Sequence, residues 1–334
     1  MYNIAVTGTG GGVGQSILKS LSNTDYNVIG LDGDQFAAGL YSSKTSYIIP
    51  YANNDNYIAA LLKICKKEKI SLLFPGLDAE LMILSLNREL FKSIGTTVVV
   101  SDPDVVEISD DKLKTYSKLI EAGVNVPFTE KLKDFNPSEK AFPLIIKQRI
   151  GGARSKNVYL VKNMIQWETV INRIGNNDSD YIVMDYIEGD EYTCGSINLD
   201  NSCKGVILMK RILRDGDTHK CFTVKNQIIE NQVRLILDTI KPFGGCNIQL
   251  RLKDNIPYVF EINARCSGTT AARTLSGFNE PKMIADFLLK NIEPSFQIKE
   301  QTILRYWKEL IVENENVDEI KKNGFLQNQT PTFL

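Results

Sequence analysis

The chain has 334 residues, more than one typical domain, and 43% of them are hydrophobic, which is enough for cores in two or three domains. Its 39 basic and 40 acidic residues give a net charge of −1, and no long Lys/Arg tract is present. A nucleic-acid or membrane-surface partner is therefore not expected, and a small-molecule partner is the better expectation.

The six cysteines are scattered along the chain, and no two of them form a C-x-x-C pair. This pattern argues against a disulfide framework and against a zinc site. The N-terminus enters a strand pattern directly, and no window approaches the about 18 apolar residues of a membrane span. We therefore expect a cytoplasmic protein with reduced cysteines.

Residues 1–100 alternate short apolar runs with helical patterns. Strands are predicted at 4–7, 28–31 and 72–74, with helices from about Val13 and over 57–67. This alternation predicts a parallel, doubly wound α/β unit. After the apolar run at 98–100, the sequence Ser101, Asp102, Pro103 has turn and cap chemistry and predicts a domain boundary.

The rest of the chain is predicted to be an α+β region. A helix begins at Asp110 to Lys112 and ends near Gly123. Further strands are predicted at 144–147, 157–161, 181–186, 192–199 and 203–212, and helices at 164–173 and 227–241. Residues 302–312 are a last strand candidate, followed by a polar tail that we expect to pack loosely.

Glu261, Asn263 and Arg265 follow the alternating apolar run 256–260. Two residues apart on a strand, Glu261 and Asn263 share a face, where a carboxylate and an amide oxygen can ligate magnesium. Residues 245–252 predict the hairpin partner, which would bring Gln249 beside Glu261 as a further ligand. Arg265 continues this face as a cation. The alternative is a solvated hairpin edge with ordinary polar residues.

Lys147 ends a predicted buried strand, and the glycine-rich stretch 151–155 follows it. A lysine there can offer its ammonium to a phosphate, while the loop offers backbone donors. A lone lysine at a strand end is usually a snorkelling surface residue, but the glycine-rich loop favours the functional interpretation. The segment 183–192 links two strands through a turn, so its backbone could read an adenine edge and Glu191 could hold ribose hydroxyls.

His219 is the one histidine in the sequence, so a Ser-His-Asp or Cys-His mechanism has a single possible centre and no local signature. The stretch 214–220 predicts an exposed turn, and the role of His219 stays open. Arg211 ends an apolar strand and could project into the same cleft to pair with a substrate carboxylate. The alternative for Arg211 is a solvated charge at a strand end.

A glycine-rich loop with Gly8, Gly10 and Gly14 lies between the first strand and the first helix, and Asp32 ends the second strand. These features favour a rival hypothesis, an NAD(P)-dependent oxidoreductase. The glycine spacing is looser than G-x-G-x-x-G, and such loops also serve as tight turns. An oxidoreductase also leaves the later Lys, Glu and Asn cluster without a role.

In this order, the motifs resemble the ATP-grasp superfamily, and in particular a single synthetase unit of the carbamoyl phosphate synthetase large chain. The likeness spans about residues 1–290. The resemblance implies a Rossmann-like N-terminal lobe over residues 1–100 and an ATP-grasp fold over 101–300, with a lid at about 125–190. A C-terminal strand and tail would occupy 301–334.

The resemblance also implies roles for individual residues. The ATP phosphates would contact Lys112 and Lys147 beneath a mobile lid containing Gly151, Gly152 and Ser155. The adenine would be framed by Met184, Asp185, Tyr186 and Ile187, and the ribose would bind Glu191. The magnesium ions would be held by Gln249, Glu261 and Asn263. Arg265 would face the transferred phosphate, and Arg211 is the second candidate for a catalytic role.

Family chemistry implies that a carboxylate attacks the γ-phosphate of ATP and that an amine or similar nucleophile captures the acylphosphate. Such transfer depends on positioning, Mg²⁺ and cations more than on a protein nucleophile. The chain has the length of one synthetase unit, has no recognisable glutamine-hydrolysing segment, and carries Gly268 where the family motif would carry another arginine.

We therefore expect a stand-alone carboxylate–amine ligase that uses ATP and Mg²⁺, acts on small molecules and is a possible homodimer. Two alternatives remain. One is the oxidoreductase, and the other is a non-catalytic nucleotide-binding module that keeps the fold.

Overall fold

The structure of the protein is a computed structural model that describes residues 1–152, 157–328 and 331. The strands, in chain order, are β1 (Asn3–Val6), β2 (Asn27–Asp32), β3 (Thr45–Ile48), β4 (Ile70–Phe74), β5 (Thr97–Val98), β6 (Thr129–Lys131), β7 (Leu144–Gln148), β8 (Val158–Val161), β9 (Tyr181–Asp185), β10 (Asp190–Leu199), β11 (Ser202–Arg214), β12 (Asp217–Val224), β13 (Gly244–Lys253), β14 (Ile256–Asn263), β15 (Thr302–Leu304) and β16 (Phe325–Gln327).

The α-helices, in chain order, are α1 (Gly12–Leu21), α2 (Ala38–Ser42), α3 (Tyr57–Lys67), α4 (Leu81–Leu86), α5 (Arg88–Lys92), α6 (Pro103–Asp110), α7 (Lys112–Glu121), α8 (Met164–Ile174), α9 (Gln227–Ile240), α10 (Thr270–Leu275), α11 (Glu280–Lys290) and α12 (Asn314–Asn323). Short 3-10 helices cover Asp78–Glu80, Leu132–Asp134, Pro137–Glu139 and Gly175–Asp180. Across the described ranges, no helix is both long and apolar enough to span a bilayer.

The N-terminal lobe is built on a sheet with strand order β16-β3-β2-β1-β4-β5. Strands β1 to β5 pair in parallel, so the predicted doubly wound unit is confirmed. Successive β1 residues face opposite cores: Ile4 packs with Ile17 of α1, whereas Ala5 packs with Leu61 of α3. Helices therefore cover both faces of this sheet, as parallel strands require.

The C-terminal segment differs from the sequence prediction. The strand expected over 302–312 is only the three residues of β15, and the tail expected to pack loosely forms α12 and β16. Strand β16 pairs antiparallel with β3 and so extends the N-terminal sheet. Ile320 and Leu326 are fully buried against Leu40 of α2. The prediction of a loose tail was wrong because a few apolar residues in a polar stretch suffice to anchor it.

A four-stranded sheet with order β6-β9-β7-β8 lies in the region expected to form the lid. Helix α8 covers it through Trp167 and Ile174, which pack with Leu144, Ile146 and Val183. The expected domain boundaries stay predictions.

The third sheet is antiparallel, with order β14-β13-β10-β11-β12-β15, and it carries most of the candidate site. Helix α9 covers one of its faces, because its buried residues recur at helical spacing and pack against the sheet. They are Ile229, Val233, Ile236, Leu237 and Ile240. On the opposite face, Ile197 and Ile207 pack with Ile284 of α11, and the polar side chains described next converge on the remainder.

Candidate active site

The hairpin of β13 and β14 brings the three predicted metal ligands together. Gln249 is the register partner of Glu261, as the sequence predicted. Gln249 Nε2 and Asn263 Nδ2 donate to the same carboxylate oxygen, Glu261 Oε1, at 3.0 and 2.9 Å. Three oxygen-bearing side chains therefore lie together at the open end of the hairpin, with the amide oxygens of Gln249 and Asn263 accepting from Arg211 and Arg265. Carboxylate and amide oxygens are the ligands that Mg²⁺ prefers.

Glu191 lies between two arginines of neighbouring strands. On β10 it is opposite Arg211 of β11 and opposite Arg251 of β13. Arg211 donates to Glu191 Oε1 from Nε and Nη2, at 2.9 and 2.6 Å, and Arg251 Nη2 donates to Glu191 Oε2 at 2.8 Å. Arg211 Nη2 also lies 2.5 Å from Gln249 Oε1. Arg211 therefore joins the predicted ribose residue to the predicted metal ligands.

Lys147 is buried where β7 meets the hairpin. Its Nζ donates to Tyr116 Oη at 3.2 Å and to the carbonyl of Phe260 at 3.1 Å. Burial lowers the pKa of Lys147 from 10.5 to about 7, although Glu261 raises it, and Lys112 lowers it further. The ammonium and its neutral form are thus both accessible near neutral pH, and an incoming phosphate would favour the ammonium.

Lys112 begins α7 and is also buried. Asp111 caps this helix by accepting from the amides of Leu113 and Lys114, and it holds Arg149 in a bidentate pair. Lys112 Nζ donates to the carbonyl of Gly151 at 2.8 Å. Lys112 therefore anchors the start of the glycine-rich loop, which the sequence predicted to be a lid over the ATP phosphates.

The segment predicted to frame adenine follows β9. Met184 is buried on this strand, and Asp185 lies 3.6 Å from Lys140. Arg251 Nη1 donates to Tyr186 Oη at 3.0 Å and to the carbonyl of Ile187 at 3.2 Å. The segment is therefore attached to β13 through one arginine.

Arg265 follows β14 and makes a bidentate ion pair with Asp78 of the N-terminal lobe. Close by, Ser16 of α1 donates to the carbonyl of Gly268 at 2.8 Å. Helix α1 thus lies beside the segment that carries Arg265, and the two lobes share this edge of the site.

The structure places the predicted residues as follows. Hydrogen bonds link six of them in one chain: Glu191, Arg211, Gln249, Glu261, Asn263 and Arg265. Lys147 meets this group at the carbonyl of Phe260, and Lys112 contacts Gly151, while Gly152 is exposed. Ser155 lies outside the described residues. His219 is half-buried in β12 rather than in the predicted exposed turn, which the backbone makes at Asp215 and Gly216 instead.

Asp32 does not offer a free carboxylate to a ribose. Its Oδ2 accepts from the Gly10 amide at 2.7 Å, and its Oδ1 accepts from the Asp34 amide at 2.9 Å. A Cβ on Gly14 would lie 2.2 Å from the Gly8 carbonyl oxygen, so this glycine is required for close packing of helix and strand. These contacts explain the motif as a tight turn between β1 and α1.

Two domain families match the chain. Residues 4–99 match the PylC-like N-terminal domain, and residues 109–269 match the ATP-grasp domain. The second range contains both buried lysines and the hairpin with Glu261. The chain carries an ATP-grasp domain. The resemblance inferred from the motifs is thereby confirmed, and the oxidoreductase alternative is not favoured.

A synthase and a ligase are among the proteins that are similar in sequence to this chain. A carbamoyl phosphate synthase large chain from Thermoanaerobacter sp. (strain X514) is 25% identical over 232 residues, which are 63% of this chain and 21% of that protein. The chain thus spans about a fifth of that relative. D-alanine–D-alanine ligase A from Bacillus cereus is 26% identical over 231 residues, covering 61% of this chain and 76% of the ligase.

Solved structures show the same fold at lower sequence identity. N5-carboxyaminoimidazole synthetase from Staphylococcus aureus, complexed with ADP, has a TM-score of 0.71 at 17% identity. The match covers 89% of this chain and 80% of that one. The N-terminal lobe and the ATP-grasp domain therefore occur together in a protein solved with a nucleotide.

The sequence did not indicate three further residues whose side chains contact the predicted site residues. Arg251 is two positions from Gln249 on the same strand, so the alternation of side chains along the strand places it on the same face and could have indicated it. Tyr116, which contacts Lys147, carries no such signal. Asp78 has none either, because it comes from a loop of the other lobe.

Proposed function

We propose that the protein is an ATP- and Mg²⁺-dependent ligase that activates a carboxylate as an acylphosphate and transfers it to an amine. The observation that carries the proposal is the position of buried Lys147 beside Glu261: its Nζ donates to the carbonyl of Phe260, the residue before Glu261, at 3.1 Å. A buried ammonium beside a metal-binding carboxylate suits a polyphosphate with its bound cation. Packing alone would not select this pair.

The residues present fit magnesium. Glu261 supplies one carboxylate, and Gln249 and Asn263 lie on either side of it. Their amide oxygens, which accept from Arg211 and Arg265 in this structure, would turn toward the ion when it binds. Mg²⁺ takes oxygen ligands and commonly uses one or two carboxylates together with substrate phosphates. When bound, the ion would neutralise the charge that develops on the transferring phosphoryl group.

The chain's own residues would orient the nucleotide and neutralise its charge. Lys147 and Lys112 would hold phosphate oxygens, Glu191 would accept from ribose hydroxyls, and Arg265 would face the transferred phosphoryl group. A substrate carboxylate oxygen then attacks the γ-phosphorus, and the bond from that phosphorus to the β–γ bridging oxygen breaks, releasing ADP. No protein nucleophile is needed for this step.

In the second step, the amine nitrogen attacks the carbonyl carbon of the acylphosphate. The phosphate leaves with the electron pair of the C–O bond, and the amine proton passes to water or phosphate. Arg211, which also holds Glu191 and Gln249, would pair with a substrate carboxylate. The D-alanine–D-alanine ligase, by its name a ligase of two amino acids, supports this class of substrates.

The first test is thermal unfolding with Mg-ATP, ATP alone and NAD(P)H, because a ligand that binds only the native state raises the melting temperature. We expect the largest rise with Mg-ATP and its loss in Lys147→Met. Carboxylate and amine pairs are then screened for phosphate release. A rise with NAD(P)H and none with Mg-ATP would overturn the proposal.

We also propose that the enzyme acts on small molecules in the cytoplasm. The homodimer implied by the resemblance stays a prediction. Light scattering of the full chain tests it, and a monomer mass would contradict it.

A further inference from the structure

Arg251 holds two parts of the predicted nucleotide site at once. It lies on β13 two residues after Gln249, and on the neighbouring strand it is opposite Glu191. A quarter of its side chain is exposed. Its strand is paired on both sides, with β10 and with β14, which makes Arg251 a rigid attachment point for the loops around it.

One guanidinium group serves three acceptors. Nη1 donates to Tyr186 Oη at 3.0 Å and to the Ile187 carbonyl at 3.2 Å, while Nη2 donates to Glu191 Oε2 at 2.8 Å. The group also lies 5.0 Å from the centre of the Tyr186 ring. The planar fork of arginine fixes the directions of these bonds relative to one another, which a lysine ammonium cannot do.

The contacts to Glu191 leave a defined place for a ribose hydroxyl. A carboxylate has about four acceptor sites. Among the described contacts, Arg211 takes two on Oε1 and Arg251 takes one on Oε2. The remaining site is therefore on the oxygen that Arg251 orients.

We propose that Arg251 is a positioning residue that fixes the adenine-framing segment and Glu191 relative to each other. It thereby determines which base and which sugar the site accepts in a nucleotide. The inference rests on the proposed function. The Ile187 carbonyl and Glu191 Oε2 belong to segments that no other single described side chain joins. Without Arg251, each acceptor can shift relative to the other, and a nucleotide can no longer satisfy both.

Arg211 is a less specific probe of this relationship. It also holds Glu191, but it contacts Gln249 through the same Nη2 atom. Its replacement would disturb the metal ligands together with the ribose residue. Within the part of the chain that the structure describes, the hydrogen bonds of Arg251 go to Tyr186, Ile187 and Glu191, and its removal therefore leaves the bonds among Gln249, Glu261 and Asn263 in place.

The experiment measures dissociation constants of Mg-ADP, Mg-2′-deoxy-ADP and Mg-GDP by calorimetry for the wild type, Arg251→Met and Arg251→Lys. Diphosphates are used so that no turnover occurs. Arg234→Met is the matched control, because Arg234 also holds a glutamate, Glu230, through Nε and Nη2, but on the outside of α9.

We expect Arg251→Met to weaken Mg-ADP binding by about 10- to 100-fold and to bring the preference for ADP over both analogues close to one. Arg251→Lys keeps one charged contact and should recover part of the affinity and part of the sugar preference, but not the base preference. Arg234→Met should match the wild type in all three constants.

Unchanged preferences in both Arg251 variants would overturn the inference, even with a lower melting temperature, since a purely structural role changes stability and not selectivity. A wild type that does not distinguish ADP from 2′-deoxy-ADP would also overturn it. If Arg251→Met does not fold, Arg251→Lys decides the question. A wild type that binds no Mg-ADP at all would overturn the proposed function as well, so the two failures are distinguishable.

Discussion

Arg265 and Asp78 join the two lobes of the molecule at the candidate site. The distances from Arg265 Nε to Asp78 Oδ1 and from Arg265 Nη2 to Asp78 Oδ2 are both 2.6 Å. Arg265 Nη2 also donates to Asn263 Oδ1 at 3.2 Å, so the guanidinium lies between a loop of the N-terminal lobe and a predicted metal ligand. A bidentate pair of this kind fixes the plane of the guanidinium.

The loop that carries Asp78 is itself fixed by a buried carboxyl group. Glu80 Oε1 accepts from the amides of Gly76 and Leu77, at 2.7 and 2.9 Å, and from Thr7 Oγ1 at 2.6 Å. Tyr57 donates to its other oxygen. Burial raises the pKa of Glu80, and these donors oppose that rise. The N-terminal lobe thus supplies a rigid support for Arg265.

We predict that Asp78→Ala lowers turnover by about 10- to 100-fold, because a guanidinium free to turn no longer faces the transferred phosphate in one orientation. The dissociation constant of Mg-ADP should stay within about twofold, since ADP lacks the phosphoryl group that Arg265 would face. Phosphate release and calorimetry measure the two effects. Asp102→Ala, which removes the exposed partner of Arg88, is the control and should match the wild type. Equal turnover in both variants would contradict the prediction.

Lys147 should make nucleotide affinity depend on pH. Its pKa is lowered to about 7 by burial in the free protein, and bound phosphates raise it again. Binding therefore takes up a proton above pH 7, and affinity for Mg-ADP should fall by up to about tenfold per pH unit between 7 and 8.5. Lys147→Met should bind weakly and without this slope. The same slope in the variant would show that another group titrates.

The same lysine predicts a pH dependence of stability. In the unfolded chain its pKa returns to 10.5, so between about pH 7 and 10.5 the unfolded state binds more protons than the native state. The contribution of Lys147 to the free energy of unfolding should therefore rise with pH across this window. Urea titrations of the wild type and of Lys147→Met measure it as a difference. A difference that is constant with pH would contradict the lowered pKa.

Glu261→Gln should abolish the effect of Mg²⁺ on nucleotide binding and leave the binding of the nucleotide alone unchanged. The substitution keeps the size of the side chain and one of its two oxygens, but it removes the charge that attracts Mg²⁺. We expect the additional rise in melting temperature that Mg²⁺ gives to ATP to disappear, while the effect of ATP alone remains. Glu89→Gln, at an exposed position, is the control. A full Mg-ATP effect in Glu261→Gln would place the metal elsewhere.

Asp32→Ala tests the interpretation of the N-terminal glycine-rich loop. The carboxylate accepts from the amides of Gly10 and Asp34, so its removal should cost about 1–3 kcal/mol of stability. The dissociation constant of Mg-ADP should change by less than about twofold, because neither amide belongs to the ATP-grasp domain. Urea unfolding and calorimetry measure the two quantities. A large loss of nucleotide affinity would move the nucleotide site to the N-terminal lobe.

The parts of the site that lie on regular elements could be predicted from the sequence. Gln249 and Glu261 were paired correctly because the period of two on each strand fixes which residues share a face. The same spacing of two places Arg251 on the face of Gln249. Its partner Glu191 could not be predicted, because Glu191 lies on β10, which no hairpin turn joins to β13. Asp78 could not be predicted, since its meeting with Arg265 depends on how the two lobes pack.

The C-terminal tail was predicted wrongly for a related reason. Helix α12 is mostly polar, and Ile320 is the one fully buried residue on it. Its burial depends on Leu40 and Leu326, which are distant in sequence and carry no local signal for this contact. The polar sequence around α12 therefore predicts a loosely packed segment, whereas contacts with distant residues make it ordered.

Ile320→Ala measures how firmly this tail is held. The side chain is fully buried with Leu40 and Leu326, so its truncation leaves a cavity and should cost about 2–4 kcal/mol of the free energy of unfolding. Ile311→Ala, the same substitution at a site that is 87% exposed just before α12, should cost less than about 0.5 kcal/mol. Urea unfolding of both variants measures the difference. If the tail packed loosely, as the sequence suggested, the two substitutions would cost the same, and removal of β16 would leave the N-terminal sheet equally stable.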